Sequence, residues 1–270
     1  MLNTLSVDRA STPRKLGALE SSSPTLSTYA DQIRRFSTRG PTEDELNKLL
    51  LADEGRIRVY YAPFEWVNPT AAVAIVGITP GKDSMLNAIR AAARALCTGE
   101  SIDEALRQAK QTGIFSNMRV SIAQMLNELG LPKILGIHSA LDLFGPRFDM
   151  LHPTSCIRNP VFTWSRKKQT WKGYDGHSPK LLKWPVGKRY IEKELAGELR
   201  GIPRALVVPC GEAVYGALRH LCAMKLLDGQ RCLFGFPHAS GANAHCQKYF
   251  SERFEQLQAA LEKWAQQHRP

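Results

Sequence analysis

Two loops and one basic stretch hold the residues whose types and spacing could do chemistry. The first loop is Gly77-Ile78-Thr79-Pro80-Gly81-Lys82-Asp83. A phosphate cradle needs G-x-x-x-x-G-K followed by Ser or Thr, so that backbone N–H groups wrap the phosphates and the hydroxyl reaches magnesium. Here the glycines stand one residue too close and Asp83 follows the lysine, which argues against nucleotide hydrolysis and a nucleotide cofactor. An ordinary strand-to-helix turn accounts for the same letters. The second loop is Phe236-Pro237-His238-Ala239-Ser240-Gly241-Ala242-Asn243. Its small residues allow a ligand close to the backbone around one imidazole. The basic stretch runs from Arg158 to Lys193, with ten Lys and Arg against two acids, Asp175 and Glu192. Phe162, Trp164, Trp171, Tyr174, Trp184 and Tyr190 are interleaved with the charges. Basic side chains, Arg166, Lys167, Lys168 and Lys172 among them, track phosphates, and aromatics stack on bases. A solvated insertion anchored to the core by its aromatic residues is the plainer alternative.

The elements that must position these loops follow from periodicity. Ala71–Ile78 is a continuous apolar run and reads as a buried parallel strand ending at the first loop. Ala205–Cys210 reads likewise, Phe148–Cys156 as another strand, Arg56–Tyr61 as a half-buried one, and Cys232–Phe236 as a short strand running into His238. Thr42-x-x-Glu45 is a capping box before a short helix, and Ser101-x-x-Glu104 caps another. Met85, Ile89, Ala92 and Leu96 share one helical face. So do Ile122, Leu126 and Leu129, then Val214, Leu218 and Leu221. A closing helix carries Phe250, Phe254, Leu257, Leu261 and Trp264. Strands alternating with helices predict a three-layer α/β/α sandwich around a mainly parallel sheet. In such sheets ligands bind outside the carboxyl ends of the strands, which singles out loops 79–83, 152–160 and 237–243.

The chain has 270 residues, 43% of them hydrophobic, enough for a core and too many for a wholly disordered polymer. The net charge of +11 suits a polyanionic partner. No apolar run reaches the roughly 18 residues of a membrane span. Residues 1–40 read as a flexible Ser/Thr/Pro-rich extension without a secretory h-region, and 41–270 as one domain carrying the basic insertion at about 158–193. The six cysteines form no C-x-x-C and read as buried free thiols in a reducing compartment. These features together predict a cytoplasmic monomer with no metal and no cofactor.

The order of the motifs adds a resemblance. An apolar strand ends in G-x-x-P-G, a helix closes at Gly130, and a strand enters Cys-x-x-x-Pro. Then come a strand into Cys-Gly with an apolar helix and a strand into His-x-Ser-x-x-Asn. From about residue 71 to 255 this resembles the uracil-DNA glycosylase superfamily. The resemblance implies an enzyme that flips a nucleotide out of DNA and hydrolyses its N-glycosidic bond, leaving an abasic site. Such chemistry needs groups that steady a cationic sugar and an anionic base, and one placed water. By resemblance, His238 hydrogen-bonds the carbonyl oxygen of the departing base, Ser240 grips backbone phosphate with Asn243 nearby, and Phe115 stacks on the flipped base beside Ile78. The superfamily carries Asp, Asn or Glu where Thr79 stands, so either Asp83 supplies the missing carboxylate or Thr79 orients the water. A helix N-cap is the plain alternative for Asp83. The base-reading segment matches Leu151–Pro160, with His152 and Thr154 where the superfamily places Asn and with Asn159 as a substitute reader. Uracil-selective members carry a bulky aromatic at the position of Gly81. Glycine there leaves room for a substituent on pyrimidine carbon 5, unless it serves only a positive-φ turn. Two substrates follow, uracil and a carbon-5-modified cytosine of the kind bacterial viruses use, the second implying antiviral defence. A non-catalytic DNA-binding module on a decayed enzyme and a small-molecule α/β enzyme are the rival classes.

Overall fold

The computed structural model describes residues 24–36, 40–239 and 246–268. Its centre is a parallel sheet of β3 (Val73–Gly77), β4 (Leu151–Ser155) and β7 (Leu206–Pro209), in the order β4-β3-β7. All five β3 residues are buried. A strand covered on both faces must be apolar throughout, which is why the run reads without alternation. Truncating Ile75, fully buried there, would cost about 2–5 kcal/mol. Cys232–Phe236 extends this sheet less than its sequence suggests. Only Val207 and Cys232 form a parallel bridge before the chain turns.

A second, antiparallel sheet stands beside the first. It joins β1 (Leu50–Asp53), β2 (Ile57–Tyr60), β5 (Val161–Ser165) and β6 (Thr170–Gly173), in that order. Strands β5 and β6 are therefore the start of the basic insertion, folded as a hairpin. Its aromatics are anchors. Phe162, Tyr174, Trp184 and Tyr190 are buried, and Trp164 meets its cross-strand partner Trp171 edge to face at 5.5 Å. The guanidinium of Arg58 lies 4.4 Å over the Trp171 ring. For Phe162, Trp184 and Tyr190 the plainer role as core anchors holds, whereas Trp164 and Trp171 are half-buried and Tyr174 reaches the cavity at the carboxyl end of β3.

The helices flank the sheets. They are α1 (Leu26–Arg34), α2 (Glu43–Asn47), α3 (Lys82–Cys97), α4 (Ile102–Gly113), α5 (Arg119–Glu128), α6 (Leu131–Leu135) and α7 (Pro185–Arg189). After them come α8 (Ala196–Gly201), α9 (Glu212–Ala223), α10 (Cys246–Glu252) and α11 (Phe254–His268). Thr42 and Glu45 make both bonds of the capping box, and Ser101 accepts from the Glu104 N–H. The apolar stripes of α3, α5 and α9 are buried at the expected spacing. α3 and α4 pack closely at Gly113, where a Cβ would lie 2.7 Å from the Ser84 carbonyl. The closing helix breaks at Arg253 into α10 and α11.

Part of the expected N-terminal extension is core. Leu26, Ile33 and Phe36 are buried, and the Leu26 N–H donates to Glu65 Oε1 at 2.5 Å. A short Ser/Thr-flanked amphipathic turn looks disordered until the surface it covers is known. Of the six free cysteines, Cys156, Cys210 and Cys232 are buried, whereas Cys97 is exposed. Among the described residues no helix is long and apolar enough to cross a membrane.

Candidate active site

Strand β3 is the point where the parallel sheet grows in both directions, with β4 on one side and β7 on the other. The loops leaving such a strand diverge and open a crevice at its carboxyl end. A cavity of 380 Å³ lies there, lined by the Gly77–Ser84 turn, by Ser155 at the end of β4, by Ile114–Met118, by Gly173–Asp175 and by His238. Ile78, Thr79, Gly81, Asp83, Phe115 and His238, far apart in sequence, thus share one wall-to-wall space.

Each wall has a local cause. Phe115 adopts φ +57, a conformation side chains rarely take. Its ring lies where a Cβ on Gly77 would be, 3.0 Å from Cε1, so only glycine at 77 lets the ring lie flat against the strand end. Gly211 does the same for His238. With φ +101, its Cβ position lies 3.0 Å from His238 Cβ and 3.1 Å from Cδ2. Burial pushes the His238 imidazole below its ordinary value, so it is neutral at pH 7. Asp83 sits in the first turn of α3, whose N-cap is Gly81. The helix N-cap alternative for Asp83 therefore fails, and its exposed carboxylate accepts from the Asn117 amide at 3.2 Å. At that end of a helix the backbone dipole favours negative charge. Gly81 has φ −79, and no atom lies within 4 Å of its Cβ position. No turn geometry requires glycine there, and its missing side chain leaves open space.

Several expected site residues are not at the cavity surface in the expected way. Side chains alternate across a strand. Ser155 faces the cavity, while His152 and Thr154 are buried against a carboxylate, Glu198. Thr154 Oγ1 donates to Glu198 Oε2 at 2.6 Å. His152 Nδ1 accepts from the Asn68 N–H at 3.3 Å, so the proton sits on Nε2, which donates to Glu198 at 3.0 Å. Asn159 is buried too, its amide donating to the Tyr60 carbonyl at 3.2 Å. None of the three lines the cavity, and as base readers they are corrected. Thr79 does line it, but its hydroxyl donates to the Asn159 carbonyl at 2.9 Å and accepts from the Val161 N–H at 3.1 Å. Its one donor is spent on the Asn159 carbonyl and one lone pair on the Val161 N–H that opens β5, so towards a water it can act only as an acceptor.

Glu198 is the hub of this buried layer. Burial opposes its charge, but Lys110 at 4.0 Å, His152 and Arg158 outweigh that and hold its carboxyl well below the usual range. Lys110, also fully buried, donates to the Trp66 carbonyl, and burial brings its ammonium down to about 8.

Ser240 and Asn243 lie outside the described residues. Arg166, Lys167 and Lys168 form the exposed turn of the β5–β6 hairpin, and exposed Lys172 pairs with Asp175 at 2.8 Å. Strand β6 runs from that turn to the cavity wall at Gly173, roughly 13 Å at the usual rise per residue. Asn117 and Ser155 are cavity residues that the sequence did not single out, and Tyr174 and Asp175, noted there only as parts of the basic stretch, line the cavity too. Asn117, two positions beyond Phe115, was the one within reach of motif reading. Among the described residues no three His, Cys, Asp or Glu side chains gather as a metal ion would require.

No family model matches the chain. Wild-type SMUG2 of Pedobacter heparinus, a solved structure, superposes with a TM-score of 0.45 and 16% identity, covering 87% of this chain and 98% of that one. A superposition that loose assigns neither fold nor activity. The uncharacterized protein YoxB of Bacillus subtilis strain 168 is 36% identical over 245 residues, spanning 89% of this chain and 93% of YoxB. At that identity and coverage the chain belongs to the YoxB family.

Proposed function

We propose that this chain is a DNA N-glycosylase acting on a flipped pyrimidine. The observation that carries the reading is the single cavity shared by Asp83, Phe115 and His238. Its 380 Å³ falls within the roughly 300–1,000 Å³ of small-ligand sites. The flipped base stacks on Phe115, with the Ser155 hydroxyl and the backbone of 78–81 at its edges. As the bond from the base to sugar C1′ breaks, its electron pair moves onto the base. The neutral His238 N–H donates to the base oxygen that gains this charge. Asp83 faces the cationic sugar and accepts the proton of the water whose oxygen bonds to C1′. The products are a free base and an abasic site. Gly81 favours a base substituted at carbon 5, because the space it opens has no structural use of its own. Such bases mark viral DNA, which would make the activity defensive. DNA approaches over the basic hairpin turn.

The test is base release from oligonucleotides carrying uracil, 5-hydroxymethylcytosine or glucosylated hydroxymethylcytosine, scored as alkali-labile abasic sites. Release from a modified cytosine is expected. Release from uracil alone overturns the modified-base reading. Absence of release from every substrate, with DNA binding indifferent to His238→Ala, overturns the enzyme reading in favour of a binding module.

A further inference from the structure

A second, larger hollow of 630 Å³ also borders His238. It is walled by α9 residues Glu212 and Tyr215, by Phe234–Pro237, by Tyr249 of α10 and Gln256 of α11, and by Arg253 at the break between them. The reaction proposed above uses none of these groups except the shared histidine.

Its composition is unusual for a protein surface. Tyr215 and Tyr249 are large aromatics left 37% and 42% exposed. Tyr215 is held edge to face on Phe234 at 5.2 Å. Arg219 lies 5.5 Å over the Phe234 ring and Arg253 5.4 Å over the Tyr249 ring. Gly235 clears the path of Arg253. With φ +102, its Cβ position is 3.0 Å from Arg253 Cδ. Fixed aromatic faces braced by guanidinium groups form a stacking platform for unpaired bases, and the cations suit the phosphates between them. Glu212 adds an acceptor of the kind that takes a base amino group.

We propose that this hollow binds the nucleobase next to the flipped one on the same strand, unstacked and lying against Tyr215 and Tyr249. The inference rests on the glycosylase reading only for the identity of the neighbouring site. Two adjacent unstacked bases define the substrate as single-stranded or locally melted DNA. The shared histidine keeps the hollows one wall apart, as consecutive nucleotides require. A neighbour bearing an exocyclic amino group, cytosine before thymine, gains the Glu212 contact.

The test uses full-length Asp83→Asn protein, so that binding is read without turnover. Fluorescence anisotropy follows short single-stranded oligonucleotides with a target pyrimidine and, on its 5′ or 3′ side, cytosine, thymine or a baseless tetrahydrofuran spacer. One of the two spacers should weaken binding by about 5- to 100-fold, the loss that accompanies one base–aromatic stack. Adding Tyr215→Ala and Tyr249→Ala should erase that difference, while Tyr215→Phe and Tyr249→Phe keep it. Spacers without effect, or Ala variants equally weakened with and without the neighbouring base, overturn the proposal and leave the glycosylase reading standing. Failure to bind any oligonucleotide overturns both.

Discussion

The side-chain amide of Asn117 donates to the Asp83 carboxylate at 3.2 Å, joining the turn after β3 to the loop before α5 across 34 positions of chain. An exposed carboxylate has several rotamers, and this bond selects the one that meets the cavity. Asp83→Asn should lower kcat by about 10²- to 10⁴-fold, the usual worth of a proton acceptor, with DNA affinity retained. Asn117→Ala should lower kcat less and leave KM nearly unchanged. Equal losses in kcat and affinity would mark Asn117 as merely structural.

His238 is neutral at pH 7 because burial disfavours the imidazolium. Its folded value lies below the ordinary 6.5. The folded state therefore binds fewer protons than the unfolded chain as pH falls below that point, and this group's contribution to stability declines there. An NMR titration should place the ring midpoint below 6.5. His238→Ala should cost about 10²- to 10³-fold in kcat, as for other donors aimed at developing negative charge.

Gly81→Tyr tests the open space directly. With φ −79 and no atom near its Cβ position, the variant should fold with stability within about 0.5 kcal/mol of the parent. Release of carbon-5-substituted pyrimidines should fall sharply while unsubstituted bases still bind. An equal fall for both would show that the ring blocks the whole cavity.

The buried layer behind β4 predicts the pH dependence of folding. Glu198 ionises far more readily than in the unfolded chain, so its contribution is complete above about 4.5 and is lost as pH falls. Lys110 has the opposite charge and the same sign of slope. Between about 8 and 10.5 the unfolded chain holds the proton that folded Lys110 has released, so this group raises stability with pH across that window. Urea unfolding followed across pH should show both limbs. Glu198→Gln leaves buried Lys110 without its paired carboxylate and Arg158 with only Glu194, and should cost about 3–5 kcal/mol.

The hairpin turn predicts a salt effect. If Arg166, Lys167 and Lys168 each meet a phosphate, replacing all three by Ala should reduce the slope of log K against log salt by about 2–3 on duplex or single-stranded DNA. Base release at saturating DNA should be unchanged. An unaltered slope would move the phosphate track elsewhere.

What the sequence determined by itself was local. Apolar runs such as 73–77, capping residues such as Thr42 and Ser101, and the helical stripes of α3, α5 and α9 follow from side-chain chemistry within a few residues, so periodicity alone exposes them. The loops at the carboxyl ends of the strands, with Asp83 and His238 on them, were legible for the same reason, since strand ends and ligand crevices coincide. Tertiary structure decided the rest, because strand parity and long-range partners are invisible in a string of letters. One residue of register separates Ser155, which faces the cavity, from Thr154, which faces Glu198. The hydroxyl of Thr79 and the amide of Asn159 are consumed by backbone groups brought in from β5 and β2. The basic insertion separates rings packed on the core, such as Phe162 and Trp184, from the exposed charges of its turn at 166–168 only once its hairpin has paired with β2. Glu198, remote from every motif, becomes the anion of a buried layer because folding sets Lys110, His152 and Arg158 around it.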